Sequence, residues 1–87
     1  MEEAMDTTVQ IREFVLETLY VNDHDGLRDD ESLLERGLLD STGVLEVIAF
    51  LEDRFGIIVE DDEIHPENLD SVDRIVRFVE RKRLATS

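Results

Sequence analysis

Ser41 sits in the stretch "GLLDSTGVLEVIAFLEDRFGI", between Asp40 and Thr42, at the head of a strongly amphipathic run. A serine in that place can cap a helix, attack a substrate, or carry an attached group. Capping is the plainest use, because Ser and Asp side chains accept hydrogen bonds from the free N–H groups of a first turn. Asp40 can fill that role and leave Ser41 at the first helical position with its hydroxyl exposed. Attack needs a nearby base that a third group orients. No spacing rule links either histidine, His24 or His65, to Ser41, and both read as plain surface residues. The local string L-D-S-T-G also lacks the G-x-S-x-G pattern of a nucleophile elbow. A chain of 87 residues leaves little room to enclose a substrate pocket, so intrinsic catalysis is not expected. Attachment has a physical argument in its favour. A helix start presents free N–H groups and partial positive charge, which suit an ester-linked phosphate on Ser41.

Metal chemistry fares poorly. Setting Gly26 as the glycine of a calcium loop puts Asp23 and Asp25 at ligand positions. The first position is then Val21 and the last Ser32, and neither supplies the carboxylate required. The absence of cysteine excludes disulfides and thiolate metal sites. No metal site is expected.

Charge narrows the partners. The chain has 23 acidic and 9 basic residues, for a net charge of −14. Nucleic acid and anionic membranes are not expected to bind it, since both need a basic patch. A basic protein surface would be steered towards it. No apolar run approaches the roughly 20 residues of a membrane span. The acidic "MEEAMDTTVQ" lacks the basic start of a signal peptide, so the protein is expected in the cytoplasm. A monomer is expected.

The elements that must hold Ser41 are helical. One domain is expected over residues 6–83, with flexible tails at 1–5 and 84–87. A first helix starts near Asp6 or Thr7 and ends near 20–22, with Val9, Ile11, Phe14, Val15, Leu16 and Leu19 as its apolar set. Residues 22–40 form a long connection pinned by Leu27, Leu33, Leu34, Leu38 and Leu39, with a helical turn at 31–35 and a positive φ at Gly37. The second helix runs from Ser41 to Phe55, buries Val44, Val47, Ile48, Leu51 and Phe55, and stops at Gly56. A short helix at 61–64 ends before Pro66. Asp70 or Ser71 caps a last helix over 72–83, which buries Val72, Ile75, Val76 and Val79. Arg77, Arg81, Lys82 and Arg83 suit the negative end of its dipole. Glu60, Asp61, Asp62 and Glu63 crowd together and must repel, so added salt should stabilise the fold.

The second helix has another face. Leu45 and Ala49 are four apart, so they stack beside the buried stripe, with Glu46, Glu52 and Asp53 bordering them. An apolar strip with a charged rim is the make-up of a partner site.

Taken in order, Gly37-Leu38-Leu39, Asp40-Ser41, Glu46, Leu51-Glu52, Phe55-Gly56, "EDDEI" and "PENLDSVDRIVRFV" resemble the acyl carrier and peptidyl carrier proteins over most of the chain. The resemblance implies an all-α four-helix bundle with three main helices and a short one. It implies that Ser41 carries a 4′-phosphopantetheine arm, transferred from coenzyme A by a phosphopantetheinyl transferase with magnesium. It also implies an arm thiol that holds acyl or aminoacyl cargo as a thioester, with no catalysis by the carrier. An adenylating ligase or acyltransferase would load the arm, a downstream synthase would use the cargo, and the second helix would be read by these partners. Thr42 and Gly43 stand where many fatty-acid carriers have leucine and an acid. The stretch therefore looks more like stand-alone carriers of aminoacyl or specialised pathways. The alternatives are a fatty-acid carrier and an acidic interaction module with no arm.

Overall fold

The computed structural model describes residues 7–19 and 27–86. Its elements are helices α1 (Thr7–Thr18) and α2 (Ser41–Phe55), a 3₁₀ turn (Asp61–Glu63), a one-turn helix α3 (Pro66–Leu69) and helix α4 (Val72–Thr86). Among the described residues there is no strand. The all-α architecture of three long helices and a short one is the one expected. α1 packs on α2 and α4, and α4 also packs on α2 and α3, so α4 is central to the core.

Each helix forms for local reasons. In α1, Ile11 and Val15 are buried, Phe14, Leu16 and, one residue past its end, Leu19 pack beside them, and Val9 points outward. The Leu19 N–H still bonds the Val15 carbonyl at 3.0 Å. Asp6 and the expected end at 20–22 lie outside the described residues. α2 has Asp40 at its N-cap and Gly56 at its C-cap, where φ is 67°. That left-handed backbone favours glycine. Val47 and Leu51 are buried on the inner face of α2, with Val44, Ile48 and Phe55 half-buried beside them. Phe14 stacks on Phe50 with centroids 4.0 Å apart and planes at 12°, and Phe50 meets Phe55 edge-on at 6.0 Å.

Two boundaries differ from the sequence expectation. The short helix at 61–64 is a 3₁₀ turn that stops at Glu63, and Pro66 begins α3 rather than blocking a helix. Proline is favoured at a first helical position, where its missing N–H costs nothing and its φ is already helical. His65 before it is extended, with φ −154°. α4 runs on past 83 to Thr86. Leu84 and Ala85 are good helix formers, and nothing there breaks the helix. Ser71 caps α4, its hydroxyl accepting the Arg74 N–H at 3.1 Å. Val72, Ile75, Val76 and Val79 are buried as expected, and Phe78 joins them with no exposed surface.

The loop before α2 is pinned, though not by all its leucines. Leu27, Leu33 and Leu39 are buried and Leu38 is half-buried. Leu34, expected in the core, is 45% exposed. The turn expected at 31–35 spans 33–37 and ends at Gly37, with φ 71°. Arg12 of α1 holds Asp29 at 2.9 Å, and the Asp73 N–H of α4 bonds the Asp29 carbonyl at 2.8 Å.

Candidate functional site: the head of helix α2

Asp40 sets the geometry. Its backbone is extended and its Oδ1 accepts the Gly43 N–H at 2.7 Å. Its carbonyl accepts the Val44 N–H at 2.8 Å, closing the first turn. The capping duty therefore falls on Asp40. Ser41 and Thr42 follow, both exposed. The Ser41 hydroxyl makes no hydrogen bond among the described residues. A free hydroxyl on a first turn, beside N–H groups and the positive dipole end, has the space and the field to carry a phosphate ester.

Gly43 is buried beneath this turn. A Cβ there would lie 3.1 Å from Leu19 Cδ2 and 3.3 Å from Asp40 Oδ1. The glycine thus lets the end of α1 close under the start of α2. From the sequence, Gly43 stood out only as the place of a missing acid.

Beside Val44, between α2 and α3, lies a small apolar groove of about 150 Å³. Leu34, Leu39, Val44, Ile64, Pro66 and Leu69 line it, with His65 as its one ionisable member. His65 is half-buried, with Nε2 3.5 Å from Asn68 Nδ2, so it is more enclosed than the plain surface residue expected. His24 lies outside the described residues, as do Val21, Asp23, Asp25 and Gly26 of the rejected calcium loop.

The outer face of α2 presents Leu45, 66% exposed, with Ala49, Glu46 and Asp53 also exposed. Glu52 does not belong to that rim. It is half-buried, and its Oε2 accepts the Val59 N–H at 2.9 Å, tying the following segment to α2.

The acidic segment after α2 is also partly neutralised. Lys82 donates to both oxygens of Glu63, at 2.9 and 3.1 Å, and the Glu60 N–H bonds Glu63 Oε1 at 2.9 Å. These bonds, the Lys82 ones foremost, hold the Glu63 carboxyl below the ordinary range. The Arg28 N–H does the same for Glu31, with Arg36 adding to it at 3.1 Å. The expected crowding therefore falls on Glu60, Asp61 and Asp62, all exposed. Arg81 has a specific partner besides the helix dipole, donating to Asn68 Oδ1 at 2.9 Å. Asn68 is 7% exposed and also bonds the Glu63 carbonyl at 2.8 Å. Among the polar neighbours His65, Glu67, Asp70 and Ser71, nothing in the sequence singles Asn68 out for this contact.

Helical packing that delivers one unpartnered serine to a helix head, beside a small apolar groove, is the architecture of a carrier domain. The phosphopantetheine attachment site family model matches residues 9–79. Curated relatives agree. The D-alanyl carrier protein of Streptococcus sanguinis is 35% identical over 81 residues, which is 93% of this chain and 100% of the relative. That of Streptococcus suis is 36% identical over 65 residues, 75% of this chain and 81% of the relative. The acyl carrier protein of Campylobacter hominis is 33% identical over 76 residues, 87% and 92% of the two chains. The chain belongs to the phosphopantetheine-bearing carrier proteins, and its cofactor is 4′-phosphopantetheine.

Proposed function

We propose that Ser41 is the attachment point and that the protein is a free-standing carrier of aminoacyl or other short acyl groups. The observation that supports this best is the exposed, unpartnered Ser41 hydroxyl behind an Asp40 cap. When attached, the arm supplies a thiol that holds cargo as a thioester. The chain's own residues do the rest. Asp40 fixes the first turn by taking the Gly43 and Val44 N–H groups, the N–H groups that it leaves over at the helix start would favour a phosphate on Ser41, and Leu45, Ala49, Glu46 and Asp53 offer a surface to enzymes. The carrier catalyses nothing itself. Its partners are a phosphopantetheinyl transferase, an adenylating ligase or acyltransferase that loads the arm, and a synthase that takes the cargo. We place it in the cytoplasm, as a monomer; no described helix is long and apolar enough to cross a membrane.

Two observations favour short cargo. The groove, at about 150 Å³, is half the lower end of the roughly 300–1,000 Å³ typical of small-molecule pockets. The Streptococcus relatives carry D-alanyl in their names. The similarity to the Campylobacter hominis acyl carrier protein supports fatty acid as the second reading.

Incubation with a broad-specificity phosphopantetheinyl transferase and coenzyme A tests the attachment. Wild type should gain the mass of one arm and Ser41→Ala none. A wild type left unmodified while a control carrier is converted would overturn the proposal. Offering the holo form to an alanine-adenylating ligase and to a long-chain acyl loading enzyme separates the two cargo readings.

A further inference from the structure

The loop that delivers Ser41 is fastened at one residue far from it in sequence. Asp70 closes α3, its N–H bonding the Pro66 carbonyl at 3.0 Å, and immediately precedes the Ser71 cap of α4. Its carboxylate turns away from both helices to the loop. Oδ2 accepts the Ser32 hydroxyl at 2.6 Å and Oδ1 accepts the Leu34 N–H at 2.9 Å. Its main-chain carbonyl accepts the Leu33 N–H at 2.6 Å. The Ser32 oxygen in turn accepts the Glu35 N–H at 3.1 Å. One residue thus holds three consecutive loop positions and, through Ser32, a fourth.

From there a short run of bonds leads to the helix head. The Gly37 N–H bonds the Leu34 carbonyl at 3.0 Å, and the Leu38 N–H bonds the Leu33 carbonyl at 2.9 Å. Leu39 is buried, Asp40 caps, and Ser41 follows. Two donors converge on the Asp70 side chain, and an ionised carboxylate is an acceptor on both oxygens. Bonds to an ionised group are roughly twice as strong as neutral ones. An amide in its place keeps one acceptor and turns a donor towards the other N–H or hydroxyl.

We propose that Asp70 is a positioning residue for the modification of Ser41: it fastens residues 32–34 to the α3–α4 junction and so holds the Ser41 turn in the form a transferase binds. The inference rests on Ser41 being the attachment point. Asp70 touches no reacting atom. Its loss lowers the fraction of carrier whose loop is docked, and the apparent affinity of the transferase falls in proportion.

The test is steady-state phosphopantetheinyl transfer from coenzyme A with carrier concentration varied, well below every variant's melting temperature. For Asp70→Ala the KM for carrier should rise about tenfold, and for Asp70→Asn about threefold, with kcat within about twofold of wild type. Ser32→Ala should fall between wild type and Asp70→Ala. Glu63→Gln is the control, because it weakens the Lys82 contact without touching the loop, and its KM should match wild type. Amide exchange should accelerate at Leu33 and Leu34 in Asp70→Ala and stay unchanged there in Glu63→Gln. If Asp70→Ala does not fold, Asp70→Asn and Ser32→Ala carry the test. A KM within twofold of wild type for the Asp70 variants that fold, or an equal shift in Glu63→Gln, overturns the proposal. A wild type that is never modified instead refutes the attachment site, so the two failures are distinct.

Discussion

Leu33 and Leu34 are adjacent, chemically identical and oppositely placed, which makes them a matched pair for measuring how the α2-bearing loop is held. Leu33 is fully buried and Leu34 is 45% exposed. Truncating a buried leucine to alanine removes its transfer energy and leaves a cavity, at a cost of about 2–5 kcal/mol. A chain of this size has a total stability of about 4–13 kcal/mol at the usual per-residue values. Leu33→Ala should therefore take away a large share of it. With a urea slope of about 1–1.5 kcal/mol per molar, a 3 kcal/mol loss moves the unfolding midpoint down by about 2–3 M. Leu34→Ala should cost under about 1 kcal/mol and move the midpoint by less than about 1 M. Urea titration followed by circular dichroism at 222 nm reads both, and suits a chain with no tryptophan. Equal midpoints for the two variants, or a Leu33→Ala loss below about 1 kcal/mol, would refute the claim that the loop is anchored through Leu33.

Acid should destabilise the protein in a defined window. Glu63 and Glu31 both have folded pKa values below the ordinary one, so their stabilisation is present above about pH 4.5 and is lost as pH falls through the folded values. Melting temperature should hold between pH 7 and about 5, then drop, and Glu63→Gln should shrink the drop. A drop of equal size in that variant would count against the Lys82 contact as its source. At Gly43, valine should lower stability by about 1–3 kcal/mol, because its branches press on Leu19 and Asp40 Oδ1. Alanine should stay within about 1 kcal/mol of wild type, its helix preference offsetting the tight contact. Thermal melts decide, and an unaffected valine variant would mean α1 and α2 are not closely apposed there. Added sodium chloride should raise the melting temperature through screening of the −14 chain, Glu60, Asp61 and Asp62 included. A flat response from about 0.01 to 0.5 M salt would show that these acids do not repel appreciably.

What could be read from sequence was what short-range chemistry decides. Asp40 and Gly56 mark both ends of α2 because a cap oxygen and a left-handed backbone act on their own neighbours. Burial of Val47, Leu51, Ile75 and Val79 follows from helical spacing. Pro66 misled because proline stops a helix from inside and starts one from its edge, and only the extended His65 shows which applies. The loop leucines carry no period, so nothing local told Leu33 from Leu34. Gly43 takes its meaning from Leu19 just past the end of α1, and Asp70 from a loop 36 to 38 residues upstream. One carboxylate among 23 acidic residues gives no sign of such a distant partner. Ser41 stood out by its neighbours and by the ordered family pattern.

The Phe14–Phe50–Phe55 cluster gives the molecule a gauge of its own posture. Three of its four phenylalanines sit ring on ring or edge on ring at the α1–α2 seam. Protons over a stacked aromatic face feel its circulating electrons, so their resonances shift with small changes in separation and tilt. A slide between the two helices as an enzyme grips the head of α2 would therefore register in a few aromatic lines, with no dye, no spin label and no added tryptophan.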